Sequence, residues 1–508
     1  MPVRLLLATV LLHFSAASIA AEPAYLVDWD EAGEEALNYL SELIRINTVN
    51  PPGNETPAAL YIQEVLEAEG IATEVLALDP ERANLVARIS GNGNKQPLLI
   101  MGHTDVVGVQ ADRWTEPPFS GLRKDGWVYG RGTLDDKDNV AAGMMVMLLL
   151  KRFGLTLDRD VIFVAEAGEE GTPDVGINYL VEKHWDKIAA EFCIAEGGEA
   201  TIEDGRVSVV GIQTTEKMPR RVTLFARGTP GHGSRPINDN AVAILARAVA
   251  KADAWSTDVR LNDTTRAYFD RMAEVAGPED AFRYRNVEDP EHTDDIQEYF
   301  KETYPYHYSI LRTSVVPTVI EAGFRRNVIP SEAKAILDIR MLPDEDVDDF
   351  YAQLADVIDD PRVEIVPENI YRPAAPPSEI DNEMFRTMER VANDMFPDAT
   401  VMPIMATGAT DMAQVRAKGV QAYGIAPART VAEKTSGHGA HGDNERVAED
   451  AFVDMVRYLW RVVIEIAAAP GHNRVKNQLE IRAFVVDIAQ LRHDVGAWSL
   501  TGGGHTRE

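Results

Sequence analysis

The chain has 508 residues, 45% of them hydrophobic, enough for a large buried core and for roughly two to four domains of ordinary size. Eighty-one acidic residues against 50 basic ones give a net charge of −31. That balance excludes nucleic acid and anionic membrane as partners, since both are held by basic patches. A single cysteine, Cys193, excludes an intrachain disulfide, and its apolar setting from Phe192 to Ala195 marks it as a small buried hydrophobe.

In chain order, Arg4, the apolar run Leu5 to Leu12 and the small residues Ala16 to Ala21 have the arrangement of a secretory leader cleaved near Ala20 or Ala21. The apolar run is too short to span a bilayer, and no cysteine follows it to carry a lipid. Residues 1–21 are therefore expected to be removed from a periplasmic or secreted protein. Apolar spacing predicts helices over 31–45 and 56–69, separated by the turn cluster Asn50-Pro51-Pro52-Gly53-Asn54. Short strands are expected at 72–78, 83–89 and 97–101, a long apolar helix over 139–153, and buried strands at 160–166 and 191–195. This alternation predicts an α/β fold with a mostly parallel sheet flanked by helices.

After residue 213 the texture changes. Runs at 221–227, 315–321 and 333–340 alternate like strands with one wet face, with helices expected at 238–252 and 344–358. The acidic, aromatic-bearing stretch 253–308 shows no clear period. Residues 214–367 read as an inserted α+β domain, and the Pro-rich run Arg372 to Pro377 marks the return. The expected layout is a catalytic domain at 22–213 and 368–467, the insertion at 214–367, and a loose tail at 468–508.

Five segments place acid or imidazole just after an apolar strand or inside a glycine-rich loop, where open α/β sheets bind ligands. The first ends a strand with His103-Thr104-Asp105, and the strand period sends both functional side chains to one side. The second, Gly130-Arg131-Gly132-Thr133-Leu134-Asp135-Asp136-Lys137, opens the long helix with two aspartates where capping needs one. The third runs a strand into Glu169-Glu170 between glycines. The fourth ends a buried strand at Glu196-Gly197-Gly198. The fifth, His438-Gly439-Ala440-His441-Gly442-Asp443-Asn444-Glu445, precedes the terminal helix. Two histidines with several carboxylates suit divalent metal, zinc before manganese or cobalt. No Gly-x-Ser-x-Gly elbow is present for a serine hydrolase.

Taken together and in this order, the five segments resemble the co-catalytic zinc exopeptidase family of glutamate carboxypeptidase, succinyl-diaminopimelate desuccinylase, carnosine dipeptidases and aminoacylase. The likeness covers roughly residues 30–467, and the run from Trp114 through Pro118-Phe119 to Lys137 is most like the carboxypeptidase S and N-fatty-acyl-amino-acid hydrolase branch. The resemblance implies two divalent ions per chain, with Asp135 bridging them. His103 and Glu196 would complete one site, and Glu170 and His441 the other. It implies Asp105 as the group orienting His103 and Glu169 as general base, and gives His438 no counterpart. In the insertion, the loop Gly228 to Ser234 resembles one whose histidine, here His232, stabilises an oxyanion, in many members from a partner subunit. Asn327 and Arg340 match substrate-contacting positions, and Gly408 and Thr410 lie in a loop resembling a substrate-lining segment. The insertion would then be a lid and a homodimer contact. One departure is visible: relatives often carry glycine shortly after the lysine of the second segment, where this chain has Asp138-Asn139.

The expected activity is hydrolysis of an amide bond next to a free carboxylate, in a peptide or an N-acyl amino acid. Two alternatives stay open: an aminopeptidase or dipeptidase on the same scaffold, and a catalytically silent binding protein. Glu196, where aminopeptidases usually carry aspartate, disfavours the first; the full ligand set disfavours the second.

Overall fold

A computed structural model describes residues 27–368 and 372–469. The expected leader at 1–21 and nearly all of the expected tail lie outside the described residues. Among the described residues no helix is long and apolar enough to cross a membrane.

Four strands with almost wholly apolar sequences form the centre of a ten-stranded sheet. Val161–Glu166, Leu98–His103, Phe192–Ala195 and Gln421–Gly424 lie side by side and parallel. The first three are buried along their whole length, as continuous apolar runs require when both faces are covered. Ala72–Ala77 and Ala83–Ile89 extend one flank antiparallel; Arg206–Glu216, Glu199–Glu203, Ala428–Thr430 and Thr400–Ala406 extend the other. The helix Lys137–Phe153 packs across the sheet with every residue from Lys137 to Leu150 buried, which explains its lack of a polar face. Gly143 permits that approach: a Cβ there would stand 2.5 Å from Phe163. Trp29–Arg45, capped by Asp28, and Glu449–Ala467 bury one apolar stripe each on the same side.

A separate antiparallel sheet runs Ser314–Ala322, Glu332–Met341, Met218–Arg227, Val363–Pro367. Its two inner strands alternate buried and less buried residues. Val222, Leu224, Leu337 and Ile339 pack on Ala241–Ala254 and Val347–Ile358. The other face stays open, as the period-2 pattern predicts.

The stretch without a clear period folds into four short helices, Asp263–Val275, Pro278–Arg285, Thr293–Thr303 and Pro305–Ile310. Each buries only a few anchors among acidic residues, so the apolar period is weak in the sequence. Their apolar cluster does not join the core of the four-stranded sheet. Tyr268, Phe269, Tyr284 and Phe300 pack with Met402, Ile404 and Met405 of the strand Thr400–Ala406. Arg271 donates to the Val401 carbonyl at 2.5 Å and Tyr306 to the Met405 carbonyl at 3.0 Å.

At the centre of this layer, His307 is buried among the rings of Phe300, Tyr284 and Phe269, with centroids 5.2, 5.3 and 5.8 Å away. Its Nε2 shares a hydrogen bond of 3.0 Å with the Tyr268 hydroxyl. Burial pushes its pKa down to about 4. An unfolded histidine titrates near 6.5, so the unfolded chain binds the extra proton first as pH falls. The neutral ring's contribution to stability is therefore complete above about pH 6.5 and declines toward about pH 4. Urea unfolding of the wild type and of His307→Gln across this window should show a pH dependence that the variant lacks. Parallel curves would mean that the cage does not hold a neutral imidazole.

Candidate metal centre

Parallel strands end on one edge, and this edge collects the acids. His103 is the last residue of Leu98–His103, Glu169 and Glu170 follow Val161–Glu166, and Glu196 follows Phe192–Ala195. Asp135 sits just before the helix Lys137–Phe153, joined to Asp136 by a cis peptide, and His441 comes from the loop before Arg446–Ala448.

Asp135 is the shared element. Its Oδ1 lies 3.0 Å from His103 Nε2, and its Oδ2 lies 3.1 Å from His441 Nε2. On the first side Glu196 Oε2 is 3.9 Å from His103 Nε2; on the second, Glu170 Oε1 is 2.8 Å from His441 Nε2. The ligand atoms of His103, Asp135 and Glu170 all lie within 4.8 Å of one another, as do those of His103, Asp136 and Glu196. Asp136, however, already serves two protein donors, the His103 N–H at 3.1 Å and the Asn139 amide at 2.6 Å. It braces the backbone under His103, which leaves Asp135 as the acid between the two imidazoles. Asp136 makes no capping bond to the helix N-terminus.

The electrostatics favour cations at this spot. Burial pushes Glu169 up to about 8 and Glu196 well above the usual carboxylate range, reinforced by neighbouring acids. Hydrogen bonds to Asp135 and Glu170 raise His441 to about 10. Crowded carboxylates that resist ionising, alongside imidazole nitrogens, form a donor set suited to divalent ions of the zinc type. His103, Asp135 and Glu196 could hold one ion, and Asp135, Glu170 and His441 a second.

Asp105 works differently from a simple ring-orienting carboxylate. The carbonyl of Asp105 meets His103 Nδ1 at 3.0 Å, while its carboxylate is 3.5 Å away. That carboxylate accepts from the N–H groups of Glu169 and Glu170 at 3.1 and 3.0 Å, and from the Asn50 amide at 2.8 Å. One residue thus fixes the imidazole through its main chain and the glutamate loop through its side chain.

Three supporting groups carry no signal that sequence inspection detects. Glu445 is fully buried, pairs with Arg131 and accepts from the N–H groups of Gly132 and Leu134 at 3.1 and 2.9 Å, so it shapes the loop that presents Asp135. Lys137 is buried and donates to the carbonyls of Leu43 and Ile46 at 2.9 and 2.7 Å, tying the start of the long helix to the first helix. Arg372, in the Pro-rich return, pairs with Glu169 and, at 2.8 Å, with Asp411.

Asp135, Glu169, Glu170, Glu196 and His441 line one cavity of about 580 Å³. Its other walls are Pro219, Arg220, Arg221 and Arg340 from the four-stranded sheet, Arg372, and Gly408 with Ala409. Arg340 reaches the cavity while donating to Asp338 at 2.7 and 3.3 Å. Thr410 does not line it: the hydroxyl is buried and donates to Glu216 at 2.7 Å, so Thr410 shapes its loop from behind. His232 and Asn327 are brought to each other and not to the cavity. They lie exposed on the two-stranded ribbon Gly231–His232 with Val328–Ile329, where the Gly233 N–H donates to the Asn327 carbonyl at 2.9 Å. His232 Nδ1 accepts from the Ser234 N–H at 3.1 Å, an obligate donor, so the neutral ring carries its proton on Nε2.

The sequence pattern of the family described as peptidase family M20/M25/M40 matches residues 99–465. The chain is 26% identical over 380 residues to the human N-fatty-acyl-amino acid synthase/hydrolase, covering 72% of this chain and 74% of that protein. It is 29% identical over 381 residues to a carboxypeptidase S-like protein of Dictyostelium discoideum, covering 72% and 71%. Among solved structures, an M20 family metallo-carboxypeptidase from Sulfolobus solfataricus superposes with a TM-score of 0.64 at 20% identity, over 84% of this chain and 98% of that one. Human carnosine dipeptidase 1 superposes with a TM-score of 0.61 at 18% identity, over 86% and 97%. With a matching pattern over most of its length, the same fold, and a His/Asp/Glu cluster at the sheet edge, the chain belongs to the M20/M25/M40 family of metallopeptidases.

Proposed function

We propose that this enzyme hydrolyses an amide bond next to a free carboxylate, as a carboxypeptidase or N-acyl-amino-acid amidohydrolase, with two divalent ions, zinc by preference. The observation that carries this reading is Asp135, whose two oxygens each meet a different imidazole, with Glu169 in the same cavity. Two ions bound there supply Lewis acidity to the scissile carbonyl and acidify water. Glu169, in the same cavity as Asp135 and held by Arg372, takes the proton from the attacking water and returns it to the leaving amine. Asp105 keeps Glu169 and Glu170 on station through their backbone N–H groups. The cavity can hold an amino acid with an acyl group attached, and Arg340 on the open face of the four-stranded sheet meets the substrate carboxylate. The names of the relatives, a fatty-acyl-amino acid hydrolase and a carboxypeptidase-like protein, support the same substrate chemistry.

The exposed position of His232 fits a role in a second subunit. The edge strand Ser314–Ala322 leaves Val316 and Ile320 exposed, and beyond its end Phe324 is 82% exposed, an apolar surface suited to a like copy. In such a dimer His232 would donate from Nε2 to the developing oxyanion of the partner's site.

Four outcomes are expected. Purified enzyme should contain about two ions per chain by elemental analysis, and Asp135→Ala should lose both. Glu169→Gln should keep them while turnover falls by roughly 10²–10⁴-fold; a near-normal rate would move the base elsewhere. An N-acyl amino acid should be cut and its carboxyl-amidated twin should not; equal rates for the pair would rule out carboxylate recognition. Mixing inactive His232→Ala with inactive Glu169→Gln protein should regain part of the activity through hybrid dimers. No recovery, or a fully active monomer, would put His232 outside the partner's site.

A further inference from the structure

Four arginines wall the cavity, and only Arg372 reaches Glu169. Its Nη2 donates to Glu169 Oε1 and lies 3.4 Å from the Glu169 carbonyl, and its Nη1 donates to Asp411 Oδ1 at 2.8 Å. Asp411 is buried, and among the described residues its other oxygen has no partner, so the hydrogen bond its carboxylate makes there is the one that holds Arg372. The backbone of Arg372 is fixed as well. Its carbonyl accepts from Arg220 Nη1 at 3.2 Å, and Pro373 after it restricts Arg372 to extended conformations. A cation held from three directions and delivered to one oxygen of one carboxylate is a more specific arrangement than charge compensation requires. Among the described residues Glu169 Oε2, by contrast, accepts from no protein donor, although Glu169 lines the cavity.

We infer that Arg372 is a positioning residue for Glu169: it occupies Oε1, so that Oε2 alone is presented to the attacking water. The inference rests on the proposed role of Glu169 as base. A carboxylate next to two divalent ions and beside a metal-binding glutamate tends to turn onto an ion and become a ligand itself. A guanidinium on one oxygen opposes that rotation, because its planar fork fixes direction as well as charge. Arg220 is on the strand Met218–Arg227, so the same contact chain links the four-stranded sheet to the base.

The test uses the metal-loaded full chain and an N-acyl amino acid substrate. It compares Arg372→Met, Glu169→Gln and their combination, with metal content and Tm recorded for each. Arg372→Met should lower kcat by about 10–100-fold, a part of what the base itself contributes, with KM changed by less than about threefold and both ions retained. In the Glu169→Gln background the same substitution should cost less than about twofold, since nothing remains to position. Arg372→Lys, with its charge but not its fork, should recover only part of the loss. A near-normal kcat in Arg372→Met, full multiplication of the two losses in the double variant, or a raised KM at unchanged kcat would each overturn the inference; the last would make Arg372 a substrate anchor. Should Arg372→Met fail to fold or load metal, Asp411→Asn provides the same comparison by releasing one side of the arginine. A kcat loss that vanishes in the Glu169→Gln background supports the inference, and no loss or a persistent one overturns it. A near-normal Glu169→Gln would instead remove the base assignment itself, whatever the arginine variants do.

Discussion

Asp105, Asp135, Glu169, Glu170 and Glu196 converge at one end of the sheet, where each carboxylate repels the next and most of their surface is buried. Such a cluster is costly unless every charge is answered, and the surrounding fold answers them one at a time. Backbone N–H groups of the glutamate loop meet Asp105, the Asn139 amide and the His103 N–H meet neighbouring Asp136, Arg372 meets Glu169, and the two imidazoles divide Asp135. Glu196, and Glu170 beside His441, together with Asp135, are the groups left to hold divalent ions. The acids stand in short turns next to strand and helix ends, tied down by buried pairs such as Glu445 with Arg131, so a collapse that would relieve the repulsion is opposed.

A second ring of buried charge holds the first in place. Glu445 with Arg131, Glu216 with Arg416 and Glu55 with Arg82 are all buried pairs near the sheet edge, and each also binds other donors or carbonyls. Pairs of this kind add little net stability, because desolvation offsets their attraction, but removing one partner strands the other. Their effect is to permit one arrangement of the loops and penalise others. Lys137 illustrates the point: burial pulls its pKa down to about 7, yet its ammonium finds two carbonyls at the end of the first helix, those of Leu43 and Ile46 just beyond it.

The parts of this design visible in the sequence are the local ones. A buried strand announces itself by a run such as Val161 to Ala165, and the acid or imidazole stands at its end or within a few residues after it, so His103, Glu169, Glu170 and Glu196 could be found from one-dimensional pattern. The supporting groups could not. Arg372 and Glu169 are 203 positions apart, and Glu445 and Arg131 are 314 apart; no period or spacing connects them. Thr410 sits in a loop that does reach the cavity, but whether its hydroxyl faces ligand or Glu216 depends on a neighbour in another strand. The helices from Asp263 to Ile310 were hidden for a different reason. Each sets few apolar anchors among many acids, and their common hydrophobic face forms when they assemble on Thr400–Ala406.

That assembly has a bearing on the chemistry. The strand Thr400–Ala406 leads directly into the loop of Gly408, Ala409 and Asp411, and the helical layer grips its backbone through Arg271 and Tyr306. Tyr306 holds the Met405 carbonyl, and the Lys217 N–H holds the next one, Ala406, at 2.9 Å. The aromatic layer therefore acts as a jig for one wall of the cavity. Repacking its rings would shift the height at which the loop leaves the sheet, and every residue carried on that loop would be displaced together while its own contacts stayed intact.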